Sequence, residues 1–321
     1  MDKFLSCDWG TSSFRLRLIR SKDLKVMAEI KNDHGILETF KFWQQNGNAT
    51  DRTLFYTAII KNQLKLLSQK LDTPLTGIPI ILSGMASSSI GLVELPYKEL
   101  PFNIDGSNLE VKFIERMEDP NPLIIISGVR TENDIMRGEE TKIVGYAPFL
   151  PTGEQEQLLI LPGTHPKHIV IKNRQVTGFK TFMTGEFFDL LSAKSILSRS
   201  VKAGGDFNDL ENRKSFTKAI ETSQTTDLLH NSFVVRTNQV LHHMPKQQNL
   251  YYLSGLLIGT ELKGLKPQNP IYLLGGLAHT SLYALACQTL GISVAQSLDA
   301  DHALIKGQQI VLSTFKRSSI N

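Results

Sequence analysis

Cysteine is nearly absent: there are two in 321 residues, Cys7 and Cys287. So sparse a pair gives no disulfide framework and no thiolate metal cluster. Both lie in apolar runs and read as small core hydrophobes of a chain kept in a reducing compartment. No apolar run approaches the roughly 18 residues that a membrane-spanning helix needs. The start of the chain enters a strand pattern without the apolar core of a secretory leader. The expectation is a cytoplasmic protein with no membrane partner. Asn48-Ala49-Thr50 matches a glycosylation acceptor that such a compartment leaves unused. An excess of one charge is also missing, since 35 basic against 31 acidic residues leave +4. That excess is too small and dispersed for a nucleic-acid partner, although it suits an anionic small molecule. G-x-x-x-x-G-K-[ST] and H-E-x-x-H are both absent, which excludes a P-loop and a built-in zinc cage.

What is present is a chain long enough for two domains, with 41% apolar residues to fill their cores. The segment 147–156, with Pro148, Pro151 and Gly153, is the best boundary. It divides the chain into 1–150 and 151–321. One short design occurs in both halves. Phe4-Leu5-Ser6-Cys7-Asp8 runs into Trp9-Gly10-Thr11-Ser12-Ser13 and then an alternating strand from Phe14. Leu158-Leu159-Ile160-Leu161 runs into Pro162-Gly163-Thr164-His165 and then a strand around His168-Ile169-Val170. A third strand follows each. Successive amides in glycine-rich turns form concave anion sites. Two such turns would clamp a phosphate chain from both sides, with Gly10, Thr11 and Ser12 in one and Gly163, Thr164 and His165 in the other.

Asp8 ends the first apolar strand. It either accepts hydrogen bonds within its own turn or faces a magnesium ion at the phosphates, and the second reading is favoured by its place at the mouth of the turn. Pro79-Ile80-Ile81-Leu82 is a buried strand ending on a loop of small residues, Ser83-Gly84-Met85-Ala86-Ser87, a normal place for a ligand. A helix is expected to begin near Arg137 or Gly138 with Glu139 and Glu140 in its first turn. Those acids either complement the helix dipole or supply a base that takes the proton of an alcohol. Arg137 would neutralise phosphate or pair with one of them. Thr184 is placed to cap a helix. Gly255 and Gly259 share one face of a helix, and Gly275-Gly276 breaks a strand; each is either a packing feature or room for an adenine ring.

Several blocks together resemble the 2-dehydro-3-deoxygalactonokinase family: Asp8-Trp9-Gly10-Thr11-Ser12, Ser83-Gly84-Met85, Met136-Arg137-Gly138-Glu139-Glu140-Thr141, Leu161-Pro162-Gly163-Thr164-His165 and Met183-Thr184-Gly185-Glu186. The resemblance extends in order from about residue 4 to residue 310. It implies an α/β protein of two ribonuclease H-like (actin-like ATPase) lobes, each a mixed sheet that begins with a three-stranded antiparallel unit and is flanked by helices. It implies a phosphotransferase that uses ATP and Mg2+ on the 6-hydroxyl of 2-dehydro-3-deoxy-D-galactonate. The alternatives are the gluconate epimer, another small sugar acid, or a phosphoanhydride hydrolase. By the same resemblance ATP sits between the two hairpin turns, and residues 1–150 hold the sugar acid in the interlobe cleft. Residues 151–321 then hold adenosine near Gly255, Gly259, Gly275 and Gly276. Glu139, with Glu140 beside it, matches the base, and Asp8 the metal. The acid lies against Gly84, Met85 and Ser87, with Arg15 and Arg130 as candidates for its carboxylate. Ser87 stands where the family commonly has glycine. A homodimer is left open as the assembly.

Overall fold

The structure, a computed structural model, describes residues 2–46, 51–116 and 119–318. The Asn48-Ala49-Thr50 acceptor lies outside them. The chain divides into two compact units. The first comprises Met1–Glu154, Asn173–Gly178 and Ala300–Asn321, and the second Gln155–Lys172 and Phe179–Asp299. An even cut at residue 150 would leave the closing helix with the second half, but its packing groups it with the first unit.

The first unit opens with the expected antiparallel strands Lys3–Trp9 (β1), Phe14–Arg20 (β2) and Val26–Asn32 (β3). After the helices Ile36–Gln45 (α1) and Arg52–Leu71 (α2), Ile80–Gly84 (β4) pairs parallel to β1, with Asp8 beside Ser83 and Trp9 beside Gly84. A strand flanked on both sides and covered on both faces reads as a continuous apolar run. That is why Phe4-Leu5-Ser6-Cys7 is buried without alternation. In α2 the Asp51 side chain accepts from the Leu54 amide at 3.0 Å, and Tyr56, Ile60, Leu64 and Leu67 turn to the sheet at helical spacing. Short strands Lys98–Glu99 (β5) and Phe102–Asn103 (β6) lead to Val111–Arg116 (β7) and Asp119–Ile126 (β8). The sheet order is β3-β2-β1-β4-β8-β7. Val129–Arg130 (β9) and Ile135–Met136 (β10) form a small sheet with β5 and lead into the helix Glu139–Tyr146 (α3).

The second unit repeats the opening with Gln157–Leu161 (β11), Lys167–Lys172 (β12) and Gln175–Thr181 (β13). The first residues of β13 group with the first unit, where Gln175 and Val176 pair with Asn103 and Phe102. Four helices follow: Thr184–Lys194 (α4), Leu210–Thr225 (α5), Leu228–Leu241 (α6) and Lys246–Glu261 (α7). Ile271–Leu274 (β14) then lies parallel to β11, and after Leu277–Thr289 (α8), Val294–Leu298 (β15) lies parallel to β14. Ala300–Ser318 (α9) returns to the first unit. Cys7 and Cys287 are buried and unpaired, each within a hydrophobic core.

Each unit contains one helix pair in backbone contact. A Cβ at Gly145 in α3 would lie 1.7 Å from the Ala303 carbonyl oxygen of α9, and one at Gly307 would lie 1.8 Å from that of Thr141. In the second unit α5 and α7 meet in the same way at Gly255 and Gly259. Backbone cannot retreat as a side chain can, so added volume here must separate the helices. Gly307→Ala is expected to destabilise the protein by about 1–3 kcal/mol or more in urea unfolding. Gly153→Ala, which meets nothing within 4 Å, should leave the midpoint unchanged.

Candidate active site

In the first unit β1 delivers Asp8 to the end of the sheet, and the chain turns back over Gly10 to Ser13. The turn closes through backbone, Gly10 N to Ser13 O at 2.9 Å, and no donor to the Asp8 carboxylate occurs among the described residues. The outer side of the loop is held by the start of α1. The Ile36 and Leu37 amides donate to Gly10 O and Thr11 O at 2.9 and 3.2 Å. Gly35 permits this approach, since a Cβ there would fall 2.2 Å from Thr11 O. The loop is therefore fixed by main-chain bonds.

Asp8 lies close to the start of α3. Gly84, at φ +88°, is close enough that a Cβ would lie 2.8 Å from Trp9 O and 3.5 Å from Asp8 Oδ1. Gly138, at φ +104°, would carry its Cβ 3.2 Å from Gly84 Cα. Both positions combine a left-handed backbone with close packing, which only glycine meets without strain. Gly138 is the N-cap of α3, so Glu139 and Glu140 start the helix as the spacing predicts. The two acids are not equivalent. Glu139 is partly exposed and accepts from the Arg137 amide at 3.1 Å. Glu140 is fully buried and accepts from the Gly138 amide at 2.7 Å and from the Thr141 hydroxyl at 3.0 Å. Behind it runs a chain of buried donors. Gln308 Nε2 of α9 donates to Ser83 Oγ at 3.0 Å, and Ser83 Oγ donates to Thr141 Oγ1 at 3.2 Å. Burial, and then the charge of Glu139, push the Glu140 carboxyl up to about 7, while these hydrogen bonds pull the other way.

Other residues of this region are engaged by protein groups, Arg137 among them. Its NH1 donates to Ser87 O and Ser87 Oγ at 2.6 and 2.7 Å, and its guanidinium stacks 4.0 Å over Tyr97. Arg137 thus positions the 84–87 loop through Ser87, which is buried with its hydroxyl engaged. Met85 packs against the first core. Arg15 is already neutralised by Asp301 at 2.6 Å, which Arg17 shares at 2.7 Å. Arg130 is paired with Glu99 at the surface.

In the second unit the Gly163 turn is built the same way. The Glu186 amide at the start of α4 donates to Thr164 O at 3.0 Å, and a Cβ at Gly185 would lie 2.5 Å from Gly163 O. His165 Nε2 lies 2.6 Å from Glu186 Oε2. Gly163 and Thr164 edge a cavity of about 270 Å³ whose wall includes Leu250, Leu257, Ile258 and Leu282. Asp189 and His279 are polar groups on its lining. It is mostly apolar with a few polar groups, as small-ligand pockets are. Gly255 and Gly259 are not part of it. A Cβ at Gly255 would fall 2.3 Å from Phe216 O and one at Gly259 2.3 Å from Ser223 Oγ, so α5 fills the face expected to hold adenine. The other side of α7, with Ser254, Leu257 and Ile258, lines the cavity instead. A Cβ at Gly275 would lie 3.4 Å from Pro162 Cδ, at the Gly163 turn, and Gly276 is the N-cap of α8, whose first turn brings His279 to the cavity. Thr184 is the first residue of α4 and not its cap, which is Met183. Its hydroxyl is drawn to Glu261.

The Glu140 environment has a measurable consequence. Its folded carboxyl, near 7, binds a proton more tightly than the ordinary value of 4.5. Its contribution to stability is present below about 4.5 and lost as pH rises through about 7, by up to roughly 3 kcal/mol. Glu140→Gln should remove that slope. In urea unfolding the variant should therefore gain on the wild type between pH 5 and pH 8, and an equal difference at both pH values would contradict this.

A family model described as 2-keto-3-deoxy-galactonokinase matches residues 8–311. A protein of Rhizobium meliloti (strain 1021), named as a probable 2-dehydro-3-deoxygalactonokinase, is 32% identical over 317 residues, covering 95% of this chain and 94% of that one. The 2-dehydro-3-deoxygalactonokinase of Escherichia coli (strain K12) is 30% identical over 225 residues, 67% of this chain and 72% of that one. A crystal structure from Sinorhizobium meliloti, provisionally assigned the same activity, superposes with a TM-score of 0.79 at 29% identity over 97% of this chain and 99% of that one. The activator of the 2-hydroxyisocaproyl-CoA dehydratase from Clostridium difficile, solved with bound ADPNP, shares the fold at a TM-score of 0.51 and 10% identity, covering 99% of this chain and 98% of that one. The fold is that of the actin-like ATPases, and the chain belongs to the 2-keto-3-deoxy-galactonokinase family of phosphotransferases.

Proposed function

We propose that this chain is an ATP-dependent kinase that phosphorylates the 6-hydroxyl of 2-dehydro-3-deoxy-D-galactonate. The observation that carries the reading is the meeting of Asp8, Gly84 and the start of α3, within a family match spanning residues 8–311. Transfer of a phosphoryl group to an alcohol needs a carboxylate to take the proton and a cradle for the phosphates, with little covalent work for the protein. Glu139 is the base in this reading, because it is partly exposed and reachable by a hydroxyl. Glu140 is sealed from any substrate. Its burial under the Ser83–Thr141–Gln308 chain makes it a fixed support for the helix start.

Asp8 suits magnesium by donor chemistry: a hard carboxylate oxygen without a competing donor among the described residues. No group of three or more His, Cys, Asp or Glu able to hold a metal occurs among those residues, which fits an ion held mainly by phosphates and water. When bound, the ion would neutralise phosphate charge. The amides of the Gly10–Ser12 turn, and those of Gly163 and Thr164, face phosphates. The cavity of the second unit takes adenosine, its apolar wall covering the base and Asp189 accepting from ribose hydroxyls. The Gly84-Met85 loop, braced by Arg137, carries the sugar acid.

The test is an assay of ADP release with ATP, magnesium and each of the galactonate and gluconate epimers, followed by identification of the phosphorylated carbon. Faster turnover of the galactonate epimer with a 6-phosphate product is expected, and no ADP release above background with any sugar acid would overturn the reading. Glu139→Gln should lower kcat by about 10²-fold or more while nucleotide affinity is retained. Full activity in that variant would remove Glu139 from the base role.

A further inference from the structure

A second buried carboxylate stands behind two residues that line the cavity in the second unit, Thr184 and Tyr283. Glu261 is the last residue of α7, and its side chain is 1% exposed. An acid is disfavoured there twice, by burial and by the negative end of the helix dipole. It is held by three groups from three other elements. His168 Nε2 of β12 lies 2.8 Å from Oε1. The Tyr283 hydroxyl of α8 donates to Oε2 at 2.6 Å, and the Thr184 hydroxyl of α4 donates to the same oxygen. Burial and this carboxylate keep Tyr283 protonated and hence a donor, since both push its phenol well above the usual range.

Thr184 and Tyr283 both line the cavity, and Gly185, next to Thr184, packs on Gly163 and Thr164 of the phosphate turn. One carboxylate therefore ties together α4, α8 and β12 at the end of the cavity nearest that turn. We propose that Glu261 is a positioning residue for nucleotide binding, which sets the spacing of α4 and α8 and with it the pose of the phosphate turn. This rests on the reading of the cavity as the adenosine site. An ionised carboxylate only accepts hydrogen bonds, and three donors converge on it. Glutamine in its place brings a fourth donor into the cluster.

Glu261→Gln should raise the KM for ATP about tenfold or more, the usual scale for a lost charged hydrogen bond, with kcat and the KM for the sugar acid little changed. Tyr283→Phe removes one donor and leaves the carboxylate bonded; it should give a smaller shift of the same kind and serves if the first variant does not fold. Titration of ADP into wild type and each variant reads the same effect without turnover. A folded Glu261→Gln, or a folded Tyr283→Phe where the first does not fold, that binds ADP as tightly as wild type would overturn the proposal. So would a variant that lowers kcat and affects both substrates alike. Ser254→Trp, which fills the cavity from α7, separates the two readings. If it leaves ADP binding intact, the cavity is not the nucleotide site and both readings fall. If it abolishes binding while Glu261→Gln does not alter it, only the positioning role falls.

Discussion

The contact between Gly84 and Gly138 is the constraint on which the first unit's chemistry depends. It puts the end of a central strand against the start of a helix, with only main chain between them. Asp8 then stands on one side and the Glu139-Glu140 pair on the other. A Cβ at Gly84 would lie 2.8 Å from Trp9 O, and one at Gly138 would lie 3.2 Å from Gly84 Cα, so either would crowd the contact. The left-handed backbone at both positions makes the arrangement still more exclusive to glycine. The elements around the contact hold it in place: Arg137 braces the loop after Gly84, and α9 presses on α3 through Gly145 and Gly307.

Both units spend their most expensive side chains on order. Glu140 and Glu261 are buried acids: the first is met by the neighbouring Gly138 amide and Thr141 hydroxyl, the second by His168, Thr184 and Tyr283 from elsewhere in the sequence. Removing one partner from such a set leaves an uncompensated charge, so the set behaves as a unit. The two Gly-Thr turns are treated alike. Each is a backbone loop clipped by amides at the start of a following helix, under a glycine that allows the approach, Gly35 in one case and Gly185 in the other. The repeat is therefore longer than a strand, a Gly-Thr turn and a strand; it includes the third strand and the helix that returns to hold the turn.

Much of this was legible from local pattern. Strand alternation, the Gly-Thr turns and the acidic first turn of α3 are written in neighbouring residues, because strand and helix periodicity depend on neighbours. The antiparallel strand β7 carries no clear local signature, because Phe113 is exposed and the charged Lys112 and Glu115 blur the alternation of an edge strand. The glycine pair at 255 and 259 announced a close approach without saying to what. A spacing of four defines a face, and α5 fills it as well as an adenine ring would. Arg15 offered a visible charge, but its partner Asp301 is 286 residues away and only folding introduces them. Gln308 carries no local signal whatever, and neither does the convergence of His168, Thr184 and Tyr283 on Glu261.

The sequence by itself determined the two three-stranded openings, the paired turns, the carboxylate pair at a helix start, and a family resemblance that the comparisons bear out. These are properties of short windows and of their order along the chain. Only the tertiary structure decided which acid is partly exposed and which is sealed, which arginines are already paired, and which face of α7 lines a cavity. Burial and charge pairing are set by whatever packs against a residue, and at Glu140, Arg15 and Gly255 that neighbour lies far along the chain or in another helix.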